Sequence, residues 1–122
     1  MAPPHGLLQR LEQELPLSGL DWDGPFGQRL EAAVLVALTA ESAPRVLLGR
    51  RALHLPLHPG EIAFPGGKRE PDDATPWVTA LREAQEEVGL APALAHPLGE
   101  LSPLFTRSGF EVHPCVARVP AA

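Results

Sequence analysis

The sequence predicts an α/β domain, a mixed β-sheet with a helix packed on it. Three observations carry that expectation: paired apolar runs at 31–40 and 44–49, one sharply bounded amphipathic helix beginning at Pro76, and two more apolar runs at 98–105 and 110–119. The order β, β, long connection, α, β, β places strands on both sides of a helix in the chain, the pattern of a sheet that mixes parallel and antiparallel neighbours.

Residues 6–15 (GLLQRLEQEL) carry Leu7, Leu8, Leu11 and Leu15 at helical spacing, which predicts a short amphipathic helix for packing or dimer contact. Residues 31–40 (EAAVLVALTA) and 44–49 (PRVLLG) read as two buried strands around a polar turn at Glu41-Ser42, although the alanines leave the first one ambiguous. Residues 50–67 form a long connection rich in Pro, His and Gly, ending in Phe64-Pro65-Gly66-Gly67. In a compact domain such a connection is more often functional than idle. Thr75 is a good N-cap, Pro76 suits the first helical position, and Gly89 can take the left-handed conformation that stops the helix. Residues 98–105 (LGELSPLF) and 110–119 (FEVHPCVARV) then read as strands joined by Thr106-Arg107-Ser108-Gly109.

A chain of 122 residues with 44% hydrophobic content fits one domain spanning 1–122, of which 1–26 is an N-terminal helix and linker. The net charge of −5 argues against a nucleic-acid surface, which needs a basic stripe. No apolar run reaches the roughly 20 residues that span a bilayer, so no membrane partner is expected. Cys115 is the only cysteine, which rules out an intrachain disulfide, and Met1-Ala2-Pro3-Pro4-His5 lacks the features of a signal peptide. Together these predict a cytoplasmic location. The 15 prolines punctuate apolar segments rather than cluster, and act as loop stiffeners.

At about 100° per residue, Trp77, Ala80, Leu81, Ala84 and Val88 fall on one stripe of the helix, and Glu83, Glu86 and Glu87 on roughly the opposite side. Glu83/Glu87 and Glu83/Glu86 are spaced so that their charges repel by a few tenths of a kcal/mol per pair. Three glutamates alone most often form a solvated acidic face, but a hard divalent cation with oxygen ligands reverses the sign, and Mg2+ is the natural candidate.

Arg82-Glu83-Ala84-Gln85-Glu86-Glu87-Val88-Gly89-Leu90 resembles the second half of the box of the Nudix hydrolase family, G-x5-E-x7-R-E-U-x-E-E-x-G-U with U aliphatic and Ala84 accepted there. The first half departs. Gly67 to Arg82 is one step longer than in the box, so the first glutamate's place falls on Ala74 counted from Arg82 or on Asp73 counted from Gly67. Asp73 is taken as the loop acid. Upstream, Leu47-Leu48-Gly49-Arg50-Arg51-Ala52, Gly60 and Phe64-Pro65-Gly66-Gly67 resemble the L-L-T-x-R-(S/A)-x3-R-x3-G-x3-F-P-G-G element of the coenzyme A-cleaving branch. Gly49 stands in place of its threonine and Pro56 in place of its second arginine. The resemblance covers roughly residues 32 to 119.

The resemblance implies an α/β/α sandwich. Members of the family continue with a further strand and C-terminal helix, so this chain is expected either to be a truncated version or to take cover from partner chains. A homodimer is one form this could take. It also implies that Glu83, Glu86 and Glu87 hold Mg2+ or Mn2+, with Glu83 open as the base instead, and that a Gly66 or Gly67 carbonyl completes the coordination. Glu100 and Glu111 are equal candidates for a separate base. Arg82 ties the helix to the loop and to Asp73, while Arg50, Arg51, Lys68 and the close-approach glycine Gly66 are candidates for phosphate contact. Each of these cations taken singly reads as a solvated surface charge. His54 and His58, spaced four apart through Pro56, do not make a helical zinc pair, and His5, His96 and His113 are unassigned. Phe64 and Trp77 are expected in the core, and Cys115 is expected to pack.

The implied reaction is metal-assisted attack of water on the pyrophosphate of a small nucleotide. Coenzyme A or a derivative is preferred, giving 4′-phosphopantetheine and 3′,5′-ADP. The alternatives are ADP-ribose, NADH or dinucleoside polyphosphates, or a non-catalytic nucleotide-binding module.

Overall fold

The computed structural model describes residues 6–17, 21–22, 24–50 and 62–121, with the side chain of Arg50 outside that description. In chain order they form α1 (Gly6–Glu14), β1 (Glu31–Thr39), β2 (Gly49–Arg50), β3 (Ile62–Ala63), β4 (Gly66–Lys68), α2 (Pro76–Val88), β5 (His96–Glu100), β6 (Leu104–Phe105) and β7 (Glu111–Val119). The main sheet runs β4-β1-β7-β5, with β6 also on β7. β1 and β7 are parallel over nine register pairs, from Glu31↔Glu111 to Thr39↔Val119, and the other pairings are antiparallel. The sheet is therefore mixed, with its one parallel pair at the centre.

Strand alternation divides the core in two. Ala33, Leu35 and Ala37 of β1 and Cys115, Ala117 and Val119 of β7 bury against Trp77, Ala80 and Ala84 of α2. Leu38 and Val116 turn to the other face, where Leu8 of α1 and Leu98 join them and Leu11 and Leu15 pack alongside. The short N-terminal helix thus packs over the second face, completing α/β/α layering. Alanines that leave β1 ambiguous in sequence are what let α2 lie close to the sheet, since Ala33, Ala37, Ala80 and Ala84 are all fully buried.

The ends of α2 follow the capping chemistry. Thr75 Oγ1 accepts from the Val78 N–H at 3.2 Å, Pro76 opens the helix, and Gly89 at φ 73° donates to the Ala84 and Gln85 carbonyls. A threonine cap of this kind contributes about 1 kcal/mol.

Three expectations are corrected. The run 44–49 is not a regular strand: it returns antiparallel to β1 through Thr39 N–H to Arg45 O and Leu47 N–H to Ala37 O, but pairs as a bridge only at Leu38↔Val46. The Thr39 hydroxyl accepts the Arg45 N–H, diverting a main-chain donor from the ladder. The 50–67 connection is not loop throughout, because β3 pairs with β2, and Gly66-Gly67 are strand residues paired with Val34 and Ala33. The run 98–105 is two strands interrupted at Leu101-Ser102-Pro103.

Candidate active site

The carboxylate face of α2 meets β4, and two glycines set the distance. A Cβ at Gly67 would lie 2.6 Å from Glu83 Cδ and 2.8 Å from both its oxygens. One at Gly66 would lie 2.8 Å from Val34 Cα. With both positions bare, the Glu83 carboxylate rests on the Gly67 backbone, and Glu87 Oε1 accepts the Gly66 N–H at 3.3 Å. The Glu87 side chain as a whole keeps contact with solvent, but its carboxyl lies low against this backbone. Burial lifts it above its ordinary value. The Gly66 N–H pulls it down, and the adjoining Glu83 and then Glu86 push it up again. Two carboxylates are thus crowded onto one spot over a glycine strand, with the exposed Glu86 beside them on the same helix.

Behind them stands Arg82. Its Nη1 donates to Glu83 Oε2 at 2.7 Å and lies 3.6 Å from Glu86 Oε1 and 3.5 Å from Glu70 Oε2. Its Nη2 donates to Asp73 Oδ2 at 2.8 Å and to the Lys68 carbonyl at 3.4 Å. Asp73 is 5% exposed and takes two further donors on the same oxygen, the Glu70 N–H at 2.9 Å and the Thr79 hydroxyl at 2.7 Å. The hydrogen bond from Arg82 to Asp73 raises the guanidinium above its ordinary value and outweighs burial, which by itself would lower it. Burial by itself would raise the Asp73 carboxyl. Its bonds from Arg82, Glu70 and Thr79 outweigh that and hold it below the ordinary value.

That depression has a consequence for stability. Because the folded-state value lies below the unfolded one, ionised Asp73 contributes stability that is fully present above the unfolded value and is lost as pH falls through the folded one. Melting temperature is expected to drop steeply below about pH 4, with a shallower slope in Asp73→Asn. Thermal melts of both proteins between about pH 2 and 6 check this, and superimposable slopes would refute it.

The donor set fits a hard divalent cation. Glu83 and Glu87 share one spot, main-chain groups of β4 lie beneath them, and their mutual repulsion is of the kind a cation relieves. Among the described residues no three His, Cys, Asp or Glu side chains already converge as a complete cage. Water and phosphate oxygens would supply the remaining positions, as is usual for Mg2+.

Lys68, Glu100 and Glu111, also singled out in the sequence, lie apart from this spot. The Lys68 ammonium sits 5.5 Å above the Phe110 ring. Gly67 faces Glu83, so strand alternation turns Lys68 to the opposite face. The Arg50 side chain, and Arg51, His54, Pro56, His58 and Gly60 entirely, lie outside the described residues. Glu100 accepts from Trp77 Nε1 at 2.7 Å, on the packing stripe of α2. Glu111 is 3.3 Å from Arg29 and 3.4 Å from His113. Trp77 and Cys115 are buried as expected, and burial pushes the Cys115 thiol up to about 12. Phe64 is not core: it is 42% exposed, because Pro65 rather than Phe64 is the residue turned inward before the glycines.

Thr79 and Glu70 were not singled out in the sequence. At about 100° per residue Thr79 lies one turn before Glu83 on the acidic side of α2, which reads as a solvated position in the sequence, yet it is completely buried.

Residues 29–119 match the model of the NUDIX domain. Two relatives, each described as an uncharacterized Nudix hydrolase NudL, come from Yersinia pestis (strain Pestoides F) and Yersinia pseudotuberculosis serotype O:1b (strain IP 31758). Both are 51% identical over 90 residues, which cover 74% of this chain and 45% of theirs, so the chain matches about half the length of these relatives. Among solved structures, the Nudix hydrolase RenU of M. smegmatis superposes with a TM-score of 0.62 at 24% identity, covering 84% of this chain and 70% of that one. An Ap4A hydrolase of C. elegans superposes at 0.61 and 22%, covering 75% and 67%. The last two show likeness of fold. On the domain match and the 51% relatives, the chain belongs to the Nudix family.

Proposed function

We propose that this chain is a divalent-metal-dependent pyrophosphohydrolase of a nucleoside diphosphate linked to another group, with coenzyme A or a derivative as its substrate. The observation that carries the reaction class is the crowding of Glu83 and Glu87 over Gly66-Gly67. Coenzyme A is supported by the upstream element that ends in Phe64-Pro65-Gly66-Gly67 and by the lengthened loop with Asp73.

A bound Mg2+ or Mn2+ would polarise the phosphoryl oxygens and lower the pKa of a water molecule. Glu83 and Glu87 would hold that ion, with Glu86 reaching in from beside them. The glycine strand leaves room for the Glu83 carboxylate to rest on the backbone of β4. Arg82, anchored by Asp73, keeps the Glu83 carboxylate aimed. Water adds at phosphorus and the P–O–P bridge opens, so coenzyme A yields 4′-phosphopantetheine and 3′,5′-ADP. Arg50 and Arg51 are assigned to the substrate phosphates by their place in the upstream element. No helix among the described residues is long and apolar enough to cross a membrane. A cytoplasmic location and a homodimer are part of this proposal and rest on the sequence.

The test is a panel of coenzyme A, ADP-ribose, NADH and diadenosine polyphosphates with Mg2+, Mn2+ or EDTA, resolved by product. Release of 3′,5′-ADP from coenzyme A, abolished by EDTA, is the expected result. Turnover of ADP-ribose, NADH or a dinucleoside polyphosphate instead would select the rival substrates, which Pro56 in place of the second arginine keeps open. No turnover, with nucleotide binding unchanged in Glu86→Gln and Glu87→Gln, would make the chain a binding module.

A further inference from the structure

We propose that Thr79 is a positioning residue for the metal site, acting through Asp73 and Arg82 on Glu83. This rests on the metal reading above. Thr79 is one turn before Glu83 on the acidic side of α2, where a polar side chain would ordinarily be solvated. It is instead fully buried. Its hydroxyl, rather than turning back to a carbonyl of the preceding turn, donates to Asp73 Oδ2 at 2.7 Å.

The geometry explains why a hydroxyl is needed. An aspartate in the lengthened loop is one methylene shorter than the glutamate of the family box, and its side chain must be pinned to meet Arg82. The loop closes on itself through the Asp73 N–H to Glu70 O and the Glu70 N–H to Asp73 Oδ2, both at 2.9 Å. Among the described residues, Thr79 and Arg82 are the two points of α2 that bond the Asp73 carboxylate. From Asp73 the line runs through Arg82 Nη2 at 2.8 Å, and from Nη1 to Glu83 Oε2 at 2.7 Å. A hydroxyl at 79 therefore fixes the acid, the acid fixes the guanidinium, and the guanidinium fixes the carboxylate over Gly67. Arg82 is one bond removed from the ligand, where loss of a partner typically changes metal affinity by about 10- to 100-fold, and Thr79, two bonds further back, is expected at the low end.

The variants are Thr79→Val, which keeps the shape and removes the donor, and Thr79→Ser, which keeps the donor. Mn2+ binding to the full chain is read by EPR of the free ion, beside the nitrogen-resolved NMR signals of the Arg82 guanidinium in metal-free protein. Thr79→Val is expected to bind Mn2+ about tenfold more weakly and to lose the slowly exchanging Arg82 signals, with Thr79→Ser restoring both. Equal Mn2+ affinity in parent and Thr79→Val, or unchanged Arg82 signals, would overturn the proposal. So would a loss that Thr79→Ser does not rescue. A parent that binds no Mn2+ would instead sink the metal reading, while the Arg82 signals would still report whether Thr79 orders the guanidinium.

Discussion

Glu87→Gln is expected to lower kcat/KM for metal-dependent pyrophosphate hydrolysis by about 10²- to 10³-fold, the cost of removing one charged group from a preorganised site, while the metal-free protein melts no lower than the parent. The two halves of this expectation have one cause. Glu87 is ionised only against the burial of its carboxyl and the charges of Glu83 and Glu86, with a single N–H from Gly66 in its favour. The amide in the variant would keep the acceptor for that N–H and remove the repulsion. In the parent, added Mn2+ should raise the melting temperature by mass action; in the variant that rise should shrink. Melts with and without Mn2+, beside steady-state kinetics, decide it. Parental activity, or a melting temperature that falls in the absence of metal, would show that the crowding at this spot has another purpose.

Gly66→Ala should be strongly damaging, costing about 3 kcal/mol and lowering the melting temperature by about 10 °C or more. The added methyl meets the Ala33 carbonyl oxygen, Val34 Cγ1 at 2.6 Å and Val34 Cα at 2.8 Å. Two of these three atoms are backbone of the neighbouring strand and cannot swing aside, so β4 must move away from β1. Gly67→Ala makes the instructive contrast. There the methyl meets only the far end of the Glu83 side chain, which can rotate away, so stability should change little while activity falls. Denaturant titration of both variants separates the cases. A Gly66→Ala protein within 1 kcal/mol (about fivefold in the folding equilibrium) of the parent would mean that β4 has slack the geometry does not show.

The helix and its carboxylates were legible because their signals are local. Thr75, Pro76 and Gly89 write the bounds of α2, and the spacing of Glu83, Glu86 and Glu87 gives their common side without knowledge of the rest of the fold. Asp73 was reachable by counting from Gly67. What escaped was set by neighbours distant in sequence. The 44–49 run loses regular pairing because the Thr39 hydroxyl takes a main-chain donor, which no propensity encodes. Lys68 follows Gly67 directly and so reads as part of the site, but the register of β4 on β1 sends it to Phe110. Thr79 reads as an ordinary helix residue in the sequence, and only the loop carrying Asp73, folded against α2, gives its hydroxyl a partner.

The parallel pairing at the centre of the sheet bears on how the molecule is made. Glu31 pairs with Glu111, and each later pair keeps the same offset of eighty residues. Joining them means closing a long loop before any contact between the two strands repays it, which makes high contact order and slow folding the expectation. A helix of thirteen residues such as α2 is marginal by itself in water, and the core its apolar stripe enters is completed by Cys115, Ala117 and Val119 of β7. During synthesis, therefore, the acidic face and its β4 floor would both emerge well before β7 arrives to complete the core beneath α2. The nascent chain up to Phe110 would be a substrate for chaperones and proteases rather than a catalyst.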